Sequence, residues 1–117
     1  MPIKTVKVYK VLGYPFAVST EDGEKIFNLL NANLKEEKKI IIDFSDIELI
    51  VSTFLNASIG QLYGLYSTQF IQQYLSITNM TNEDLDILKK VTDTAKAYFK
   101  DKKGFERAFN KNFPDAS

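Results

Sequence analysis

Residues 39–64 constrain the fold of this chain more than any other stretch, because a short apolar run changes there into a helical pattern. Ile40, Ile41 and Ile42 form a continuous β-branched run bounded by charged residues, which is typical of a strand buried on both faces of a sheet. An acidic turn follows this run. The sequence therefore predicts a central β-strand that leads through a polar turn into a helix.

The helix is predicted to begin at the adjacent hydroxyl residues Ser52 and Thr53. Apolar residues then recur at steps of three and four and share one helical face, namely Leu55, Ile59, Leu62 and Tyr66. Ser52 or Thr53 is expected to be the N-cap, since its hydroxyl can accept from the first free backbone N–H groups. The helix dipole also favours negative charge at this end, so a phosphoryl group would be tolerated there.

Alternating and helical patterns define the flanking elements. Residues 3–12 predict an edge strand with one solvated face, 16–18 a second short extended piece, and 75–78 another strand. A helix is expected to start at Ser19 or Thr20 and to bury a stripe formed by Ile26, Leu29, Leu30 and Leu34. Gly23 lies inside this helix, where it indicates either close packing or a fraying first turn.

The longest helix is predicted after Thr81, with early acidic residues and one face formed by Leu85, Leu88, Thr92, Ala95 and Phe99. We expect residues 1–99 to form the domain and residues 100–117 to form a basic, aromatic extension. Phe105, Phe109 and Phe113 recur at steps of four, which predicts a final helix packed on the domain. A partner-binding helix and a nucleic-acid surface are the alternatives for this extension.

Composition narrows the functional classes. The chain contains no Cys and no His, so cysteine-ligated metals, thiolate catalysis and histidine-based triads cannot be built from it. Fifteen basic side chains balance fifteen acidic ones, which argues against a duplex-binding protein. No apolar run approaches the roughly 20 residues that span a membrane. We expect a noncatalytic cytoplasmic protein that needs no cofactor or metal.

Several short motifs, in order and spacing, resemble the STAS-like domain of unknown function, a divergent relative of bacterial anti-sigma factor antagonists. The similar positions are Asp43-Phe44, the apolar stretch 47–50, Ser52-Thr53-Phe54 and Gly60, and the resemblance extends roughly over residues 19–99. It implies an α/β domain with a small mixed sheet covered by helices. In the antagonists the second hydroxyl residue of the corresponding motif is phosphorylated by a histidine-kinase-like ATPase, and that residue corresponds to Thr53.

These observations predict a regulatory protein-interaction module that docks a partner through the Ser52-Thr53 helix start. Thr53 is the first candidate phosphoacceptor and Ser52 the second. The residues expected to contact the partner are Asp46, Glu48, Ser52, Thr53, Phe54, Asn56, Asn79 and Thr81. Asp43, Asp46 and Glu48 could instead hold magnesium, but an acidic turn that ends a buried strand is the simpler interpretation. The alternative function is a small-ligand or nucleotide site at the same helix N-termini.

Overall fold

A central strand, β3 (Lys39–Asp43), organises the domain. A computed structural model describes the backbone of residues 3–112 and the side chains of residues 3–100. The elements follow in the order β1 (Ile3–Lys7), α1 (Val8–Leu12), β2 (Phe16–Ala17), α2 (Thr20–Lys35), β3 (Lys39–Asp43), β4 (Leu49–Ile50), α3 (Ser52–Ser58), a 3₁₀ helix (Gly60–Gly64), α4 (Thr68–Tyr74), β5 (Leu75–Thr78) and α5 (Asn82–Asn112). The predicted α/β class is confirmed.

The main sheet has the order β1-β3-β5, so the predicted central position of β3 and edge position of β1 are confirmed. Ile40 and Ile42 are buried, whereas Ile41 on the opposite face is half-buried. Both pairings of β3 are parallel, as is the separate β2-β4 pairing, so the described strands form parallel rather than mixed sheets. Helices connect successive paired strands, and such crossovers return the chain in the same direction.

The first strand is shorter than predicted. β1 ends at Lys7, and Val8–Leu12 forms the short helix α1. Val8 and Leu12 are both buried, because residues four apart share one face of a helix. Gly13 ends the helix with a φ of 81° and donates its N–H to the Tyr9 carbonyl at 2.7 Å. Val8 and Leu12 are four residues apart, so they also fit the alternating pattern from which a longer strand was predicted.

The helix α2 buries three residues of its predicted stripe, Ile26, Leu30 and Leu34, while Leu29 is 38% exposed. Its N-cap is Ser19, whose Oγ accepts from the Asp22 N–H at 3.1 Å, as one of the two predicted caps. The apolar face of α3 and the following 3₁₀ helix is also confirmed, since Leu55, Ile59 and Leu62 are fully buried and Tyr66 is half-buried. The buried residues of these helices belong to one core with Ile40 and Ile42 of β3, and Tyr66 packs against it.

The helix α4 was not predicted. Ser67 caps it by accepting from the Phe70 N–H at 3.1 Å. The Tyr66 and Phe70 rings stack with centroids 4.9 Å apart, and the Tyr74 ring lies tilted against Phe70 at 4.6 Å. At seven residues the helix is too short to show a periodic pattern, and tertiary packing rather than local propensity holds helices of this length.

The helix α5 is the longest element, as predicted, and it continues without interruption to Asn112. Leu88, Val91 and Ala95 are buried against the domain, whereas Leu85 is 42% exposed. The boundary expected at residue 99 thus falls inside one continuous helix. The predicted packing of Phe105, Phe109 and Phe113 lies outside the described side chains. No helix in the described range has the length and apolar character needed to cross a membrane.

Candidate functional site

The helix α3 begins differently from the prediction. Its N-cap is Val51, which has extended backbone angles and offers no side-chain cap, so the expectation that Ser52 or Thr53 caps the helix is wrong. The Val51 N–H donates to the Ala17 carbonyl at 3.1 Å. This hydrogen bond continues the β2-β4 ladder by one residue and keeps Val51 extended. With Val51 as the cap, helical geometry starts at Ser52, one position earlier than a Ser52 cap would require.

The two hydroxyl residues are consequently not used by the fold. Ser52 and Thr53 are exposed, and within residues 3–100 neither hydroxyl makes a hydrogen bond. The next two residues, Phe54 and Leu55, are fully buried and fix the helix to the core. Phe54, one of the predicted partner contacts, therefore anchors this helix start from inside the core. The result is a pair of free hydroxyls on a firmly held helix start.

A groove between α3 and α5 adjoins these hydroxyls. Its first part, a hollow of about 420 Å³, is lined by Ser52, Thr53, Asn56, Ile87, Lys90, Val91 and Thr94. A second hollow of about 430 Å³ shares Asn56 and Thr94 and extends to Gln61, Ala95, Tyr98 and Phe99. We call the two together the α3-α5 groove. Sequence reasoning missed its α5 side because those residues lie more than thirty positions from Thr53, although they border the predicted apolar face.

A separate cluster lies at the carboxyl edge of the main sheet, around Asp43. Asn79 Nδ2 donates to Asp43 Oδ1 at 2.8 Å, and the Ser45 N–H donates to the same oxygen at 2.9 Å. These hydrogen bonds, with a smaller contribution from the Lys7 charge, hold the pKa of Asp43 below its usual value. Asn79 adopts a φ of 59°, a conformation in which Asn is common. The cluster ties the ends of β3 and β5 together.

Two predicted acidic residues occupy another hollow. Asp46 and Glu48 are exposed and line a space of about 440 Å³ with Tyr9, Pro15 and Ile47. Asp46 Oδ2 lies 3.4 Å from Lys7 Nζ. Neither residue lines the α3-α5 groove. Over the described residues, no group of three or more acidic side chains is arranged to hold a metal ion.

The eight predicted contact residues thus fall into separate places. Ser52, Thr53 and Asn56 share the α3-α5 groove. Thr81 instead caps α5, since its Oγ1 accepts from the Asp84 N–H at 3.1 Å. Because Thr81 does not line the groove, no observation favours a single ligand held between the α3 and α5 helix starts. The alternative ligand site stays a prediction.

The fold and this site define a small α/β domain in which parallel strands present an exposed helix start beside a groove. Residues 22–85, more than half of the chain, match a family model described as a STAS-like domain of unknown function (DUF4325). The chain belongs to this family. The match includes Ser52, Thr53 and Asn79 but ends at the first turn of α5. Neither the curated proteins nor the solved structures gave a match.

Proposed function

We propose that this protein is a noncatalytic regulatory module that docks a partner protein through the Ser52-Thr53 helix start. The observation that carries the proposal is the pair of exposed hydroxyls that the fold leaves unused beside the α3-α5 groove. Their helix is fixed by the fully buried Phe54 and Leu55, so a partner would meet a preorganised surface. Preorganisation lowers the entropic cost of binding.

The noncatalytic part of the proposal is supported by residue content. The chain has no His and no Cys, so the usual general base near neutral pH and the most nucleophilic side chain are both missing. The exposed residues beside Thr53 are Ser52, Asn56, Lys90 and Thr94, among which no carboxylate stands ready to activate a hydroxyl. Recognition suits this set of side chains better than bond cleavage does.

Phosphorylation of Thr53, with Ser52 as the second candidate, would switch the docking. The Thr53 hydroxyl is exposed and makes no hydrogen bond among the described side chains, so modifying it removes nothing from the fold. A phosphoryl group adds roughly −1.5 to −2 charges at neutral pH, which would disrupt a closely packed interface. The first turn of α3 would still accommodate the charge, because helix N-termini favour anions.

The proposed partner follows from the resemblance to anti-sigma factor antagonists, whose docking helix start is recognised by a histidine-kinase-like ATPase. Asp46, Glu48, Asn79 and Thr81 are exposed and would widen the contact beyond the groove if the partner covers the carboxyl edge of the sheet. Asp43 would support this contact indirectly, since it holds Asn79 in place.

Affinity capture from the native host tests the proposal. Full-length wild type, Thr53→Glu and Gln73→Glu would be used as baits, and retained proteins would be quantified by mass spectrometry. Gln73 is exposed on α4, so its substitution adds one negative charge outside the groove. We expect a regulator that wild type and Gln73→Glu retain equally and that Thr53→Glu loses. Equal retention by all three baits would contradict docking at Thr53.

A further inference from the structure

The α3-α5 groove carries a single charged side chain, that of Lys90, among its described lining residues. The neighbouring lysines of α5 are engaged elsewhere: Lys89 Nζ lies 2.9 Å from Asp93 Oδ2, and Lys96 Nζ lies 5.6 Å from the centroid of the Tyr63 ring. Lys90 is exposed and makes no ion pair within residues 3–100.

The remaining lining of the groove supplies apolar surface and neutral hydrogen-bonding groups. Ile87 is half-buried, and Val91 and Ala95 are buried, so apolar side chains form the floor. Hydroxyl and amide groups border this floor, from Ser52, Thr53, Asn56, Gln61 and Thr94. No described lining residue is acidic, so the groove offers one unpaired cation above an apolar floor.

We infer that the α3-α5 groove binds an acidic segment of a partner protein. A carboxylate of the segment would pair with Lys90, and an adjacent apolar side chain of the segment would pack on Ile87 and Val91. Charge complementarity selects this occupant, since a carboxylate would give Lys90 the partner that the fold does not. The inference rests on the proposed function and specifies the chemistry of its partner. Lys90 lies on α5, beyond residues 22–85 that match the family model.

The same geometry gives the proposed switch a direction. Thr53 and Lys90 line one hollow, so a negative charge on Thr53 would compete with the acidic segment for the Lys90 ammonium. Modification of Thr53 would therefore release an acidic partner rather than recruit it. A basic partner would respond in the opposite way, which makes the sign of the effect informative.

Peptide selection followed by a double-mutant cycle tests the inference. Random 12-residue peptides would be selected on the full chain, and the enriched peptide would be synthesised with its carboxylates and with the corresponding amides. Fluorescence anisotropy would then compare wild type, Lys90→Gln, Lys89→Gln and Thr53→Glu. Lys89→Gln is the matched control, because it makes the same substitution one residue away, where the side chain borders a different hollow.

We expect the enriched peptides to contain Asp or Glu beside an apolar residue. Lys90→Gln should weaken the acidic peptide about tenfold, as loss of a charge-assisted hydrogen bond would. The amide peptide should be insensitive to that substitution, and Lys89→Gln should change affinity less than twofold. Failure to enrich acidic peptides, or equal effects of the two lysine substitutions, would overturn the inference.

The outcome separates this inference from the proposed function. If Thr53→Glu abolishes binding of the selected peptide while Lys90→Gln leaves it unchanged, docking at Thr53 stands and recognition of an acidic segment is overturned. If the peptide binds wild type, Lys90→Gln and Thr53→Glu equally, it binds outside the α3-α5 groove. That result would contradict both the docking at Thr53 and the recognition by Lys90.

Discussion

At the scale of single residues, Gly23 determines how closely α2 approaches α3. A Cβ built on Gly23 would lie 2.7 Å from Ala57 Cβ and 2.8 Å from the Phe54 carbonyl oxygen, distances that ordinary contacts do not reach. Of the two interpretations that the sequence left open, close packing is therefore correct. A sequence shows that a glycine interrupts a helix, but the neighbour that requires it lies more than thirty residues away.

We predict that Gly23→Ala destabilises the protein by about 1–3 kcal/mol, although Ala favours helices over Gly, because the added methyl must separate α2 from α3. Urea denaturation would measure the change. Asn28→Ala, at an exposed position of the same helix, is the control and should be neutral or slightly stabilising. A Gly23→Ala variant as stable as wild type would contradict the close packing.

Asp43 is the residue whose importance the sequence underestimated. Its role depends on Asn79, 36 positions away, and parallel strand order alone brings the two together. The lowered pKa of Asp43 means that its carboxylate stabilises the folded state above the pKa it has in the unfolded chain. That stabilisation is lost as the pH falls through the lowered pKa of the folded state.

We predict that the difference in free energy of unfolding between wild type and Asp43→Asn is largest at neutral pH and decreases below about pH 4, where the unfolded carboxyl titrates. Chemical denaturation at a series of pH values would measure it. Asp86→Asn removes an exposed carboxylate that makes no ion pair or hydrogen bond within the described residues, and it controls for the change in net charge. A difference that does not vary with pH would show that ionisation of Asp43 does not stabilise the folded state.

At the scale of elements, the starts of α2 and α3 show which helix caps the sequence can predict and which it cannot. Ser19 was correctly predicted as a possible cap of α2. Its side chain accepts a hydrogen bond from the Asp22 N–H in the first turn. Ser52 met the same sequence criterion, yet Val51, which donates its N–H to the Ala17 carbonyl, holds the cap position and α3 starts at Ser52 itself. The pairing of β2 with β4 decided this, and two-residue strands leave almost no pattern in a sequence.

We predict that Ser19→Ala lowers the free energy of unfolding by about 1 kcal/mol, since it removes the acceptor for the Asp22 N–H. Ser52→Ala and Thr53→Ala should each change it by less than about 0.5 kcal/mol, because neither hydroxyl caps α3. Thermal and chemical denaturation of the three variants would measure these changes. A loss of stability in Ser52→Ala equal to that in Ser19→Ala would restore Ser52 as a cap.

At the scale of the whole molecule, the sequence correctly predicted the central strand and the long helix that follows Thr81. It could not show that α5 crosses beside α3, because that arrangement depends on burial of Val91 and Ala95 against distant residues. Of the predicted contact residues, Phe54 is buried in the core, whereas Ser52, Thr53 and Asn56 line a hollow together with Lys90 and Thr94.

Site-specific photo-crosslinking in the native host tests the central claim, docking at the Ser52-Thr53 helix start, most directly. The full chain would carry a photoreactive phenylalanine analogue at Ser52 or, as the control, at Gln73 on the exposed face of α4. We predict a discrete protein adduct from the Ser52 position that is absent from the Gln73 position and that Thr53→Glu suppresses. Identical adducts from both positions, or no adduct from the Ser52 position, would contradict the account.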